Sequence, residues 1–413
     1  MQAIYICEIS AGEVAFPHRI EARVVALGVE SELICAAARP ISAAKGTLFL
    51  GGVAAGTAAG IRSQLPAGLE VEILDDPIDR TRLPQAAADA EILVTNHWRA
   101  EYPPAPKVRL VQSVATGVEL IDLGALPASV SVCNAFGHES AIAEYVVMVM
   151  LAWRHRLLKI SREFREHASW RTSWVQGGAP HGEVRGSTLG IVGYGRVGRE
   201  VARRTAPFGC RILAANRTPR EPEPGVEDIL PLDELDRMLP QCDTLALCTA
   251  LGPETTGLID ARRLSLMRPS AFLINIARGQ VVDEDALYAA LRDRTIAGAA
   301  LDVWWQYPSA DEPERRGSRH PFHQLPNVIA TPHNSGWTDG MVARRWNEIA
   351  DNINRFVRGD SLINLVIKNC EIIMARRQAP QKTRWRKGRP KRSSRRGSYC
   401  HQRRGVDPRL LSL

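Results

Sequence analysis

Gly193, Gly195 and Gly198 stand at the spacing of a phosphate-cradling turn. The apolar run 189–192 enters that turn and a helical pattern, 199–207, leaves it. That order puts a dinucleotide pyrophosphate on the free N–H groups of a helix start. Gly193 permits the tight turn, Gly195 lets phosphate approach the backbone, and Gly198 lets helix and strand pack closely. The spacing arises by chance in glycine-rich chains; the strand before it and the helix after it make the case for a nucleotide. Three later segments, 273–279, 299–304 and 327–333, are strand-like runs carrying Arg278, Asp302 and His333 at or near their ends. Open α/β sheets bind ligands at the carboxyl ends of their strands, so the three are expected to converge near the nicotinamide end of the nucleotide. Alone, Arg278 reads as a surface ion-pair residue, Asp302 as a turn cap and His333 as a turn histidine. Their order behind a nucleotide turn argues for one shared site. A guanidinium has the planar fork to hold a carboxylate. A protonated imidazole can give a proton to an oxygen on which charge is growing, and take it back in reverse.

The choice of nucleotide is read at the end of the second strand, 18 residues after Gly198, in Ala214-Ala215-Asn216-Arg217-Thr218. An acid there would bond the ribose 2′-OH of NAD. Asn216 removes its repulsion and Arg217 offers a cation to a 2′-phosphate, so NADP is expected in preference to NAD. The bland alternative is a solvent-facing arginine on a loop that tolerates both.

The elements that must position these residues follow from periodicity. Strand-length apolar runs occupy 47–50, 71–74, 92–95 and 108–114, and 139–159 reads as one long helix joining two domains. After the glycine turn, strands at 211–215, 244–248, 271–276, 297–303 and 327–330 alternate with helices near 232–239, 261–267 and 283–292. Such alternation predicts a doubly wound parallel sheet, hence an α/β fold. In the last helix, 341–357, Trp346, Ile349, Ile353 and Phe356 form a stripe read as packing surface.

The 413 residues leave room for two domains, and 45% hydrophobic with 24% charged residues is a globular balance. Eight scattered cysteines without a CxxC pair suggest neither a disulfide frame nor a metal site, and fit a reducing cytoplasm. Neither a membrane-spanning run nor a secretory start is visible, so a membrane partner is not expected. The net charge of +8 comes from residues 369–413, with 14 basic against 2 acidic side chains; the remainder holds 39 against 43. The body therefore gives no reason to expect nucleic acid binding. The tail, low in aliphatics and broken by Gly, Pro and Ser, is expected to be disordered and without a selected role, its alternative use being an anionic partner. Residues 1–45 show no clear fold.

The stretches VQSVATGVELID (111–122), AEYVVMVMLAWRHR (143–156), TLGIVGYGRVGRE (188–200), INIARGQVVDEDAL (274–287), ALDVW (300–304) and TPHNSGW (331–337) together resemble the D-isomer-specific 2-hydroxyacid dehydrogenases. The resemblance covers about residues 46–367. It implies two Rossmann-like or flavodoxin-like domains, a split substrate domain (46–142 plus 333–367) and a dinucleotide-binding domain (143–332), in a homodimer. It implies an oxidoreductase interconverting a small 2-oxo acid and its D-2-hydroxy acid, of glyoxylate or hydroxypyruvate type. The alternative is a non-catalytic dinucleotide sensor on the same fold. By resemblance, Arg196, Val197, Thr249, Ile276 and Asp302 join the glycines, Asn216, Arg217 and Thr218 in holding the cofactor. Ala115, Thr116, Gly117 and Arg278 hold the substrate carboxylate, and Arg278 and His333 are catalytic. Family members usually place an acid five residues after the Asp302 position to keep the imidazole protonated. Here that position is Tyr307, whereas counting back from His333 reaches Glu312 and Glu314, because 302–333 is about seven residues longer than usual. Glu312 is taken as the expected partner, with Tyr307 and Glu314 open.

Overall fold

Runs of β-branched and leucine side chains, mostly buried on both faces, build two sheets, parallel but for one edge strand, in this computed structural model. It describes residues 46–51, 54, 59–75, 80–218, 220–308 and 312–368. The N-terminal stretch 1–45 and the basic tail 369–413 lie outside the described residues, and so do the expectations made for them.

The first sheet holds β1 (Thr47–Leu50), β2 (Val71–Leu74), β3 (Ile92–Val94), β4 (Leu110–Gln112) and β5 (Ser131–Cys133), in the order 2-1-3-4-5. The second holds β6 (Thr188–Val192), β7 (Arg211–Asn216), β8 (Asp228–Pro231), β9 (Thr244–Leu247), β10 (Phe272–Asn275), β11 (Gly298–Leu301) and β12 (Val328–Ala330). Its strands are all parallel, ordered 12-11-10-9-6-7-8, so the order reverses between β6 and β9. A final strand, β13 (Leu365–Lys368), returns to the first sheet antiparallel to β5. The expected α/β architecture is present; β5, β8 and β13 are strands the periodicity did not reveal.

Alternate residues of each strand serve opposite layers. Leu48, Leu50, Leu93, Val111 and Val132 pack on one side of the first sheet, under α1 (Leu83–Asp89). Phe49, Ile92, Val94, Leu110 and Cys133 pack on the other, against Trp346, Ile349, Ile353 and Phe356. In the second sheet Leu189, Ile191, Ile212 and Ala214 meet Ile142, Val146, Val149 and Met150 of α2 (Glu139–Arg154).

The expected single helix 139–159 is two. α2 stops at Arg154, and Arg156, at φ +52°, turns the chain into α3 (Leu157–His167). The cause is anchoring: Trp153 stacks on Phe272 at 4.3 Å over Gly298, and Arg154 donates to the Glu183 carbonyl. With its end pinned to the second sheet, α2 cannot carry its stripe further. The remaining α-helices among the described residues are α4 (Arg196–Thr205), α5 (Leu235–Met238), α6 (Ala261–Leu266), α7 (Glu284–Arg292) and α8 (Asp339–Arg358), the last carrying the tryptophan–isoleucine–phenylalanine stripe.

Candidate active site

The strand-order reversal puts the glycine turn beside the end of β9. Gly193 adopts φ +92°, and a Cβ there would sit 2.7 Å from the backbone of Thr249; at Gly198 it would overlap the Gly193 carbonyl oxygen. Only glycine closes both contacts. The space above Gly195 is open, and α4 begins without a side-chain cap, so its first N–H groups are available to a phosphate. These residues fit a dinucleotide. The Arg196 guanidinium does not point into the turn: it lies 3.8 Å over the Phe136 ring and donates to Asn364, so only its backbone is placed for the phosphates. Asn216 accepts from the Tyr194 N–H at 3.0 Å and donates to the Thr218 carbonyl, tying the glycine turn to the exposed Arg217–Thr218 bend. Beyond that bend Arg220 keeps a buried Nε with no partner among the described residues.

Arg278 follows β10. Its Nε and one terminal nitrogen both donate to Glu119 at 3.2 Å, and its other terminal nitrogen to the Ala277 carbonyl. Glu119 in turn lies against Gly117, filling the space where a Cβ would be. The 115–117 loop, expected to hold a carboxylate, is therefore adjacent to the guanidinium, but not all of it is free. The Ala115 N–H is taken by Ser113 Oγ at 3.1 Å, leaving the N–H groups of Thr116 and Gly117. Asn134 holds the Thr116 carbonyl, and the Thr116 hydroxyl lies 3.3 Å from His138 Nε2. Burial and the neighbouring Arg345 guanidinium lower the His138 pKa to about 4, so this ring is neutral at physiological pH.

Asp302 is fully buried at the end of β11, where Thr331 Oγ1 (2.6 Å), the Asn334 N–H (3.0 Å) and the Ser335 N–H (2.9 Å) all donate to it. Tyr145 of α2 lies 2.7 Å from the same Thr331 hydroxyl. The carboxylate thus clamps both flanks of His333, whose backbone takes the left-handed φ of +57°. That conformation is uncommon for a residue with a Cβ and needs such support. The resemblance implies a cofactor contact for Asp302; among the described residues its carboxylate is bonded to the histidine loop.

The partner of His333 is Tyr307. Its hydroxyl lies 2.9 Å from Nδ1 and accepts the Trp304 N–H at 3.2 Å. Glu312, expected there, instead pairs with Arg315 at 2.9 Å. The extra residues explain the correction. The Gly317 carbonyl accepts from the N–H groups of Trp305 and Gln306, and Gly317 packs on the Trp304 ring. That closure leaves Tyr307 at the base of the excursion, on the imidazole side. A phenol supplies no charge. Protein packed around the His333 ring lowers its pKa, with Asp302 opposing and Arg278 reinforcing that direction. Burial likewise raises the pKa of Tyr307, so the hydroxyl stays protonated. Arg278, Asp302, Tyr307 and His333 share one electrostatic environment. Sequence reasoning missed Glu119, although it lies inside the quoted stretch 111–122, and it missed His138, Tyr145 and Arg220.

Residues 147–335 match the family described as "D-isomer specific 2-hydroxyacid dehydrogenase, NAD binding domain". A glyoxylate reductase of Korarchaeum cryptofilum is 34% identical over 311 residues, 74% of this chain and 84% of that one. The chain belongs to the D-isomer-specific 2-hydroxyacid dehydrogenase family. It is an NAD(P)-dependent oxidoreductase acting on CH–OH groups, which displaces the reading as a non-catalytic sensor. A glycerate dehydrogenase of Methylorubrum extorquens is 34% identical over 258 residues, 62% of this chain and 77% of that one. A family dehydrogenase from Xanthobacter autotrophicus, solved with NADPH and MES, superposes with a TM-score of 0.62 at 27% identity, covering 79% of this chain and 99% of that one. No helix among the described residues is long and apolar enough to cross a membrane.

Proposed function

We propose that this dehydrogenase reduces a small 2-oxo acid of glyoxylate or hydroxypyruvate type, preferring NADPH, as a homodimer. The observation that carries the reading is the meeting of Arg278 and His333 in one environment, at the ends of β10 and β12 on either side of β11 in the nucleotide sheet. The dinucleotide, when bound, supplies the hydride. Arg278, with the Thr116 and Gly117 N–H groups, holds the substrate carboxylate and orients the adjacent carbonyl. Tyr307 engages Nδ1 of His333 in either protonation state, leaving Nε2 to deliver a proton to the nascent alkoxide. Asp302 keeps that ring in place through the Thr331 hydroxyl on one flank and the Asn334 and Ser335 N–H groups on the other. The division into 46–142 plus 333–367 and 143–332 is retained as a proposal, supported by which strands join which sheet. The test is NADPH and NADH oxidation against a panel of 2-oxo acids, run with the natural chain and with Arg278→Ala. Turnover of no 2-oxo acid by the natural chain would remove the reading.

The NADPH preference is supported by Asn216 in place of an acid, by exposed Arg217 and by the unpartnered Nε of Arg220. A charge-assisted contact to a 2′-phosphate contributes roughly 1.5–3 kcal/mol. Arg217→Ala is therefore expected to raise the KM for NADPH about tenfold or more and leave that for NADH nearly unchanged. Equal kcat/KM for the two nucleotides in the natural chain would contradict the preference.

The dimer is supported by an apolar surface on α2 and α3. Met148, Leu157, Leu158 and Phe164 are exposed there, beside a groove of ≈ 710 Å³ lined in part by Val147, Leu151 and Ala152. Contiguous exposed apolar surface of this kind marks an interface. Light scattering is expected to give twice the chain mass, and Leu158→Asp, on that surface, a monomer. A monomeric natural chain at micromolar concentration would refute it.

A further inference from the structure

The group on His333 decides which electrophile this site can reduce. A carbonyl that accepts hydride becomes an alkoxide and needs a proton at once, so its catalyst is an imidazolium. The residues around this ring do not favour one. Tyr307 brings a neutral hydroxyl to Nδ1 at 2.9 Å, the Trp304 N–H occupies one lone pair of that hydroxyl, and Glu312 is committed to Arg315. Burial of the ring acts most strongly against a charge there; Asp302, already accepting three hydrogen bonds, opposes that direction and Arg278 reinforces it. Around the substrate seat the charges are also offset. The Arg278 guanidinium is bonded through two nitrogens to Glu119, whose carboxylate lies on Gly117. A 2-oxo acid carries net negative charge and a zwitterion none, and Glu119 offsets the Arg278 guanidinium at this seat.

We propose that the site also reduces protonated 2-imino acids, the condensation products of a 2-oxo acid with a primary amine. This rests on the preceding assignment of the same site to hydride transfer and extends its substrate class. Such a substrate is a zwitterion. Its carboxylate meets Arg278 and its C=N⁺–H group meets the ring. Because a hydroxyl both donates and accepts, the neutral ring can hold its proton on Nδ1 toward Tyr307 and offer the Nε2 lone pair to the iminium N–H. Glu119, beside Gly117, adds negative charge at the seat, and the fully buried Asp302 adds to it through space. The balance is complete without an acid. Hydride from NAD(P)H bonds to the imino carbon with its electron pair, and the C=N π pair moves onto the nitrogen, which already bears its proton. A neutral secondary amine and NAD(P)⁺ result. Water was lost earlier, when the imine formed in solution.

The test uses the full chain, NADPH and pyruvate, with and without excess methylamine, between pH 6 and 9.5, products being identified by mass spectrometry. At pH 8.5 the amine is expected to raise NADPH oxidation at least about tenfold, since the oxo acid lacks its general acid there. The product is then N-methylalanine. Tyr307→Glu is expected to reverse the order, speeding lactate formation at pH 8.5 about tenfold and suppressing N-methylalanine. Tyr307→Phe keeps the ring neutral and keeps the amine product. Independently of turnover, NMR titration of the natural chain should show the His333 ring deprotonating below the ordinary pH 6.5, and above it in Tyr307→Glu. Lactate without N-methylalanine would overturn the inference and leave the preceding reading intact; neither product would overturn the inference, and the preceding reading falls with it only if the glyoxylate and hydroxypyruvate of the panel are not reduced either. Reduction of NADP⁺ by formate without N-methylalanine would assign the neutral ring to that proton-free oxidation instead, and also overturn it.

Discussion

Arg278→Ala is expected to lower kcat/KM for a 2-oxo acid between about 30-fold and a few thousand-fold, most of it through KM. Truncating one partner of a close charge pair costs roughly 2–5 kcal/mol, and each 1.4 kcal/mol is a factor of ten. Two effects act together. The substrate loses the planar fork that holds its carboxylate, and Glu119, which the guanidinium now neutralises at 3.2 Å, is left facing that carboxylate. Arg278→Lys should recover only part of the loss, because an ammonium restores charge without the two parallel donors. The double variant Arg278→Ala, Glu119→Gln should bind substrate better than Arg278→Ala alone, since the stranded negative charge is gone. Steady-state kinetics on purified protein decides the matter. A change within twofold in Arg278→Ala would show that the substrate carboxylate sits elsewhere.

The second large effect is at His333. His333→Gln is expected to lower kcat for 2-oxo acid reduction by roughly 10²–10⁴, the usual worth of a positioned general acid, with little change in KM. The pH dependence has a definite sign. Packing lowers the ring's pKa from 6.5, reduction requires the protonated ring, and the rate should therefore fall as pH rises through a value below 6.5. Oxidation of the 2-hydroxy acid requires the neutral ring and should rise across the same interval. In His333→Gln both dependences should disappear. Asp302 bears on this without touching substrate. Its three bonds hold the loop in which His333 takes a left-handed backbone, so the ring is presented by a strained but fully tied segment. A natural-chain reduction rate that stays flat to pH 8.5 would contradict the neutral-partner geometry at Tyr307.

How much of this could be read beforehand depends on the distance over which each feature is decided. Gly193, Gly195 and Gly198 act within a few residues of one another, as a turn between a strand and a helix start, so their spacing carried the nucleotide site. The alternating apolar runs carried the two α/β sheets, because burial on both faces of a parallel strand leaves a continuous apolar signature in the chain itself. Strand-end placement likewise put Arg278, Asp302 and His333 in one region. The break at Arg156 was not legible, since α2 stops where Trp153 meets Phe272 and Gly298, residues more than a hundred positions away. Short strands such as β5, at three residues, and β13, at four, offer too little pattern to stand out and are recruited by their neighbours.

The amino-acid sequence by itself determined the family, the α/β layers, the dinucleotide turn and the chemical types of the side chains proposed to react, because these rest on local spacing and on burial that every strand records. Tertiary structure alone decided what those side chains lean on. Counting along the chain reached Tyr307 from one end of 302–333 and Glu312 from the other, and no count could choose between them. The choice fell to the Gly317 carbonyl closing the excursion and to Trp304 beneath it. Glu119 reached Arg278 across 159 residues for the same reason: a charge pair is fixed by where two sheets bring their loops, a three-dimensional distance that a linear spacing does not contain.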